Sequence, residues 1–247
     1  MTDTTPLPGA LQAAWGLRER PTKGPKPALS AERIVAAAVR VAHAEGFAAV
    51  SMNRVAAELS TSAMSLYRHV ANKDELAVLM MEAVVGEPPP SMPGEGWRPA
   101  LERWASAMLA MFREHRWFLQ VPVSAPPATP RQLGWLEAGL AALAGTGLSE
   151  AEKVSVALLV NGVVRNEAQI SGQMADAASS AGRTVEATIG EFGALLRVLV
   201  TADRFPMLRR AIDAGVMDQA DDPEADFAFA LARVLDGIEK LIEDRAA

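Results

Sequence analysis

An all-α fold is predicted by three observations. Apolar residues recur at three- and four-residue intervals along most of the chain, as at Met52, Val55, Ala56 and Leu59, the spacing of an amphipathic helix. Helix-start signals punctuate these runs. Thr129-Pro130 and Asp222-Pro223 pair a capping residue with proline at the first helical position, and Ser149 with Glu152 forms a capping-box pattern. No strand-like alternation and no Asn-Gly hairpin signal accompanies them.

At 247 residues, half of them apolar, the chain is long enough for one large or two small domains with a sizeable core. It has no run of about 18 apolar residues and no signal-peptide pattern, so a cytoplasmic protein without a membrane partner is expected. The lack of cysteine excludes disulfides and thiolate metal sites. The net charge of −6 argues at first sight against nucleic acid, but its distribution does not. From Trp15 to Lys73 nine Lys and Arg stand against four Glu, a net of +5 that leaves −11 for the remainder. A basic head on an acidic body suits a protein whose head faces phosphates.

Residues 1–29 are rich in Pro, Gly and Thr without a helical period, which predicts a flexible, mostly disordered basic N-terminal arm. Within it Arg18, Arg20, Lys23 and Lys26 stand among prolines, an arm suited to a phosphate backbone or a minor groove, or else a solvated tail. Ser30 caps the first long helix, whose inward stripe is Ile34, Val35, Ala38, Val41 and Ala42 and which Gly46 ends. Ser51 caps a short helix, and Ser60, Thr61 and Ser62 supply turn chemistry after it. Leu66 and Val70 then form the narrow buried edge of a second short helix.

Asn72 with Glu75 makes a capping-box pattern for a helix from Lys73 to Val85, stopped by Gly86 and Pro88-Pro89-Pro90. This is the one helical strut leading from the head, hence the expected lever. Five prolines between Glu87 and Pro99 forbid a continuous helix and divide a head at 30–86 from a helical domain at 97–247. Beyond the boundary, helices are expected at about 97–114, 117–123, 130–144, 150–177, 184–202, 205–214 and 223–244.

Counting 100° per residue along the second short helix puts Thr61, Met64, Ser65 and Arg68 opposite its buried edge, with Tyr67 and His69 flanking them. These groups suit bases and phosphates. Two short helices joined by a tight turn, the second exposing mixed polar groups, fit a helix-turn-helix whose second helix enters the major groove. A plain αα-hairpin with a solvated face fits the same pattern.

The run from Leu29 to Glu82 carries more than periodicity. An Ala-rich helix ends at Gly46, the apolar Phe47 and Val50 follow, and after the Ser51-to-Leu59 helix come Leu66-Tyr67-Arg68-His69-Val70 and Asn72-Lys73-Asp74-Glu75-Leu76. In this combination it resembles the N-terminal domain of the tetracycline-repressor (TetR) family of transcriptional regulators. The resemblance implies double-stranded operator DNA as partner, with base and phosphate contacts at Asn53, Ala63, Met64, Ser65, Tyr67, Arg68, His69 and Lys73. One departure lies at Ser60-Thr61, where the family usually has Gly followed by an apolar residue. A Ser there gives up the free positive φ of Gly, which predicts a slightly altered angle for the recognition helix.

The C-terminal part is similar, more loosely, to the tetracycline-repressor-type C-terminal domain, in its helix order and in stretches such as Leu143 to Ala151 and Phe227 to Ile242. That implies a homodimer released from DNA by a small-molecule effector. Trp104, Met108 and Phe112 fall at i, i+4 and i+8, and Trp117, Phe118 and Trp135 follow. Such a stripe is either ordinary core or the wall of an apolar pocket. Asn161, Arg165, Asn166 and Gln169 form a polar strip that faces that pocket, or else a solvated or dimer surface. The candidate effector residues are thus Trp104, Met108, Phe112, Trp117, Trp135, Asn161 and Arg165. The long helix near 150–177 and the last helix, with its stripe Phe227, Leu231, Val234, Leu235, Ile238, Leu241 and Ile242, are expected to pair the protomers.

No catalytic residue, metal or cofactor is expected. His43, His69 and His115 are far apart in sequence, and no HExxH or GxSxG motif occurs. His115 stands at a helix end, where a positive charge would suit the dipole. The histidine by which the tetracycline repressor holds a metal-chelated drug has no counterpart here, since Trp117-Phe118-Leu119-Gln120 follows His115-Arg116. A magnesium–tetracycline effector is therefore not expected. The alternatives to a ligand-released repressor are a ligand-independent DNA-binding regulator and a helical small-molecule-binding module or enzyme.

Overall fold

The computed structural model describes residues 7–17, 29–123, 128–216 and 223–246. Among them are eleven α-helices and two 3-10 turns, and no strand. The chain forms two compact units, one running to Leu159 and the other from Val160 to Arg245. Among the described residues no helix is long and apolar enough to cross a membrane.

The first unit holds α1 (Gly9–Ala14), α2 (Ala31–Glu45), a 3-10 turn (Phe47–Ala49), α3 (Met52–Glu58), α4 (Ala63–Tyr67) and α5 (Lys73–Val85). After the proline-rich linker come α6 (Trp97–Glu114), a second 3-10 turn (Arg116–Gln120), α7 (Pro130–Ala142) and the start of α8 (Glu150–Ser180). Ser30, Ser51, Ser62 and Asn72 each open a helix by accepting a hydrogen bond from the N–H three residues on. Each side chain satisfies a donor that a first helical turn leaves unpaired. Ser149 and Glu152 make the full reciprocal box, with Glu152 N–H on Ser149 Oγ at 3.3 Å and Ser149 N–H on Glu152 Oε2 at 2.9 Å. The box at α5 is altered, because Glu75 Oε2 accepts from the Ala71 N–H at 3.1 Å instead.

The core follows the periodicity. Ile34, Val35, Ala38, Val41 and Ala42 of α2 are buried with Met52, Val55, Leu66, Val70, Leu76 and Met80. The segment predicted as a helix at 117–123 is shorter, a single 3-10 turn over Arg116–Gln120. Val121 is extended there, as the residue before Pro122 must be. Arg103 of α6 ties down the linker, donating to the Pro90 carbonyl at 2.6 Å and pairing with Glu95.

The N-terminal segment differs from its compositional reading. Gly9–Ala14 is helical and packs against α5, and the Trp15 indole donates to the Ala128 carbonyl at 2.9 Å. A six-residue helix with no side-chain cap depends on tertiary contact for its stability, which composition does not reveal. The basic stretch holding Arg18, Arg20, Lys23 and Lys26 lies outside the described residues, as does Asp222.

The second unit holds the rest of α8, then α9 (Val185–Leu199), α10 (Pro206–Asp213) and α11 (Pro223–Ala246). Thr184 caps α9 through the Ala187 N–H. Arg209 of α10 donates to the Arg197 and Val200 carbonyls at the end of α9. Of the apolar stripe on α11, Phe227, Leu231, Leu235 and Ile238 are buried, while Val234, Leu241 and Ile242 are half-buried.

Candidate nucleic-acid interface and its connection to the helical domain

The turn between α3 and α4 is built by backbone hydrogen bonds. The Thr61 N–H reaches the Ala56 carbonyl at 2.9 Å and the Ser60 N–H reaches the Ala57 carbonyl at 3.1 Å, with Ser60 at φ +52°. This is the six-to-one, five-to-two ending that glycine usually provides. The same bonding pattern closes α1, α8 and α10 at Gly16, Gly182 and Gly215. The departure from the family pattern at Ser60 is thus accommodated by strain in the serine, which adopts the left-handed conformation itself.

Leu66 and Val70, both fully buried, anchor α4, and Ser62 Oγ lies 3.0 Å from Ser65 Oγ. Of the side chains expected at DNA, Met64 is 71% and Tyr67 49% exposed, and Asn53 and Arg68 are exposed as well. Thr61, Ala63, Ser65, His69 and Lys73 are half-buried. Lys73 places its ammonium 4.9 Å from the Phe47 ring centre, so this cation rests on an aromatic face at the start of α5.

The positive charge of the head is not all available to phosphate. Arg54 binds Glu45 at 2.6 Å and Glu58 at 3.2 Å, and Arg40 binds Glu58 at 3.3 Å. The Arg54 hydrogen bond holds the Glu45 carboxyl below its usual range. These two arginines tie α2 to α3, which leaves Arg33, Arg68 and Lys73 as the remaining cations in the described part of the head.

Behind the head, its 3-10 turn meets the turn after α6. The Phe47 N–H donates to Gln120 Oε1 at 2.9 Å, and Gln120 approaches to 3.3 Å of where a Cβ on Gly46 would stand, at φ +80°. Trp117, 2% exposed, stacks on Phe47 with ring centres 6.5 Å apart and meets His43 edge-on at 6.3 Å. Its buried Nε1 finds no hydrogen-bond partner among the described residues. Phe118 continues the contact from Trp117 to Phe112 of α6. His43 and His115, distant in sequence, are hydrogen-bonded at 3.1 Å. Burial lowers the His115 pKa, so the ring is disposed to be neutral and not to serve as the dipole-facing cation its position in sequence suggests.

Trp104 and Trp135 form a second group. Trp104 Nε1 donates to the Trp135 carbonyl at 2.9 Å, and Trp135 Nε1 donates to the carbonyls of Val85 at 3.2 Å and Gly86 at 3.3 Å, at the end of α5. Arg131, one turn earlier on α7, donates through Nη1 to the Glu82 and Ala83 carbonyls at 3.0 and 3.2 Å. Sequence reasoning passed over Glu82, Gln120 and Arg131. The available signal was negative: α5 carries no basic residue in its last turn, so its final carbonyls need donors from elsewhere.

Trp104, Met108, Phe112, Trp117 and Trp135 are all buried, between 2% and 7% exposed. Asn161 and Arg165 lie on α8 in the second unit, both half-buried, and burial lowers the Arg165 pKa. The polar strip divides there, because Asn166 and Gln169 are exposed. Among the described residues no cluster of three or more His, Asp or Glu is placed to hold a metal ion.

The comparisons with known proteins agree with this arrangement. Residues 34–80 match the bacterial regulatory proteins of the tetR family, and residues 89–242 match the tetracyclin repressor-like C-terminal domain. The HTH-type transcriptional repressor DrrR1 of Streptomyces coeruleorubidus is 37% identical over 238 residues, covering 95% of this chain and 86% of that protein. Apo ActR from Streptomyces coelicolor superposes with a TM-score of 0.74 at 26% identity, over 90% of this chain and 100% of that one. ActR in complex with actinorhodin gives 0.72 at 27% identity, over 86% and 96%. A family match across both halves and a repressor relative along nearly the whole length identify the chain as a member of the TetR family of transcriptional regulators.

Proposed function

We propose that the protein represses transcription as a homodimer on a palindromic operator and leaves the DNA when a small, largely apolar molecule binds its helical domain. In this reading residues 30–86 are the DNA-binding domain, 97–247 bind the effector and dimerise, and 1–29 extend the head. Asn53, Thr61, Ala63, Met64, Ser65, Tyr67, Arg68, His69 and Lys73 face the DNA. Ala63 and Met64 offer only apolar contact, suited to a thymine methyl, so Ser65, Arg68 and His69 carry the polar readout.

The observation that carries the ligand response is the Trp104–Trp135 pair, whose indole groups lead directly onto the last carbonyls of α5. A molecule packed against these rings would press on the helix that bears the head. Solved complexes of the related ActR with actinorhodin and with (S)-DNPA support a small-molecule ligand. The exposed apolar residues Leu158 (62%), Leu159 (52%) and Ile170 (49%) of α8 and Phe229 (69%) of α11 supply surface for a partner protomer.

The test is thermal melting of the full chain with a panel of fused-ring aromatic compounds, actinorhodin included, followed by DNA-binding anisotropy with each compound that raises the Tm. A ligand at about 100 times its Kd adds about 2.7 kcal/mol of stability. A stabilising compound that releases DNA establishes the reading. A second reading, a ligand-independent repressor, draws on the near-complete burial of all five large apolar candidates by the chain itself. It prevails if every compound that binds leaves DNA affinity unchanged.

A further inference from the structure

Two helix ends in the first unit are left incomplete by their own sequences. The last carbonyls of α5 have no basic side chain in the same turn to meet them, and the chain leaves through Gly86 into three consecutive prolines. The first N–H groups of α7 lack the expected cap, because the Thr129 hydroxyl donates to Gln132 Oε1 at 2.9 Å. Each helix completes the other. Arg131 and Trp135 of α7 donate to the carbonyls of Glu82, Ala83, Val85 and Gly86, and the Glu82 carboxylate accepts from the Arg131 N–H with both oxygens at 3.2 Å. The guanidinium stands at the negative end of one helix dipole and the carboxylate at the positive end of the other.

We infer that this reciprocal capping by Glu82, Arg131 and Trp135 is the joint through which a displacement of α7 reaches the DNA-reading head. A buried backbone group stripped of its partner costs more than a hydrogen bond gains, and here the bond from Trp135 to Val85 is buried and most of the others are half-buried. A shift of α7 is therefore not absorbed at the joint and travels along α5. At its other end α5 starts three residues after Val70, the anchor of the recognition helix, and it packs against α2 of the head. Further along the same face, two turns beyond Arg131, α7 lies close on α6. A Cβ on Gly139 would stand 3.0 and 3.1 Å from two ring atoms of Trp104, whose indole N–H is already committed to the Trp135 carbonyl. The inference rests on the reading above, that occupancy of the helical domain is felt at the DNA, and it makes Arg131 a positioning residue for that response.

The joint can be tested without an effector, using Gly139→Ala as a mechanical push between α6 and α7. Affinity is measured for the duplex that the wild-type protein selects from a random pool, in the wild-type background and in an Arg131→Gln, Trp135→Phe background. Melting and circular dichroism check each variant. Gly139→Ala is expected to change affinity about fivefold or more in the wild type and by less than about twofold where the joint is cut. If the cut background does not fold, Arg131→Gln alone replaces it. If Gly139→Ala does not fold, Trp104→Phe, which removes the hydrogen bond to the Trp135 carbonyl, supplies the push. Equal effects in both backgrounds overturn the inference, as does a folded Gly139→Ala protein with wild-type affinity. Because no ligand enters the measurement, failure to find an effector leaves these outcomes readable.

Discussion

His43 Nε2 lies 3.1 Å from His115 Nδ1, one ring on the last turn of α2 and the other just past the end of α6. The contact needs a neutral acceptor nitrogen on one ring, so protonating both breaks it. Burial is the main cause that lowers the His115 pKa from its ordinary 6.5; Glu114 opposes this and His43 reinforces it. The unfolded chain therefore takes up this proton first. The associated stability is complete above about pH 6.5 and declines as the pH falls toward the folded value. Melting measured between about pH 7.5 and 5.5 should fall more steeply for wild type than for His115→Gln, and identical slopes would rule out His115 as the source.

Ser60 holds φ +52° in a turn that elsewhere in the chain uses glycine. Ser60→Gly removes that strain at some cost in unfolded-state freedom, and is expected to stabilise by up to about 1 kcal/mol. In a chain of this length that raises Tm by about 2–4 °C. A lower Tm would show that the serine side chain contributes more than its backbone costs.

Three basic residues in the head should give three different results at DNA. Arg68→Ala is expected to cost about 1–3 kcal/mol and to relax preference at one operator position, whereas Lys73→Ala should weaken all sequences alike and lower the salt slope by about one. Arg54→Ala should leave the salt slope unchanged, since its guanidinium is committed to Glu45 and Glu58. Salt titrations of operator affinity distinguish these; a slope reduced by Arg54→Ala would mean that its ion pairs open on DNA.

Pairing of protomers is best probed at exposed positions. Leu235 and Ile238 of α11 are 0% and 3% exposed, so charge there is expected to unfold the chain. Leu159→Glu with Ile170→Glu, on the exposed face of α8, should instead yield a folded monomer by sedimentation. A dimer that survives the pair places the interface elsewhere.

What was legible in the sequence was local. Ser30, Ser51, Asn72 and Ser149 announce their helices because a cap and its N–H are three residues apart, and Ile34 to Ala42 display their buried face through a repeat of three and four. The joints of the molecule follow no such rule. Gln120 meets Phe47 across 73 residues, His115 meets His43 across 72, and Arg131 meets Glu82 across 49. Nothing in the neighbourhood of either partner specifies such a pairing. The aromatic stripe shows the limit within one element, since Trp104 and Trp117 read alike in sequence. One is tied to Trp135 and the end of α5, the other to Phe47 and His43 of the head.

The mutual capping of α5 and α7 also bears on how such a protein can diverge. Replacing Arg131 leaves the Glu82 and Ala83 carbonyls without their side-chain donor, and replacing Glu82 leaves the Arg131 N–H without its acceptor, so each side chain meets only backbone on the other helix in these bonds. Each loss is therefore costly on its own and a second change at the other position does not offset it, so descendants should keep both residues. The connection between the two helices is thereby inherited intact within a lineage.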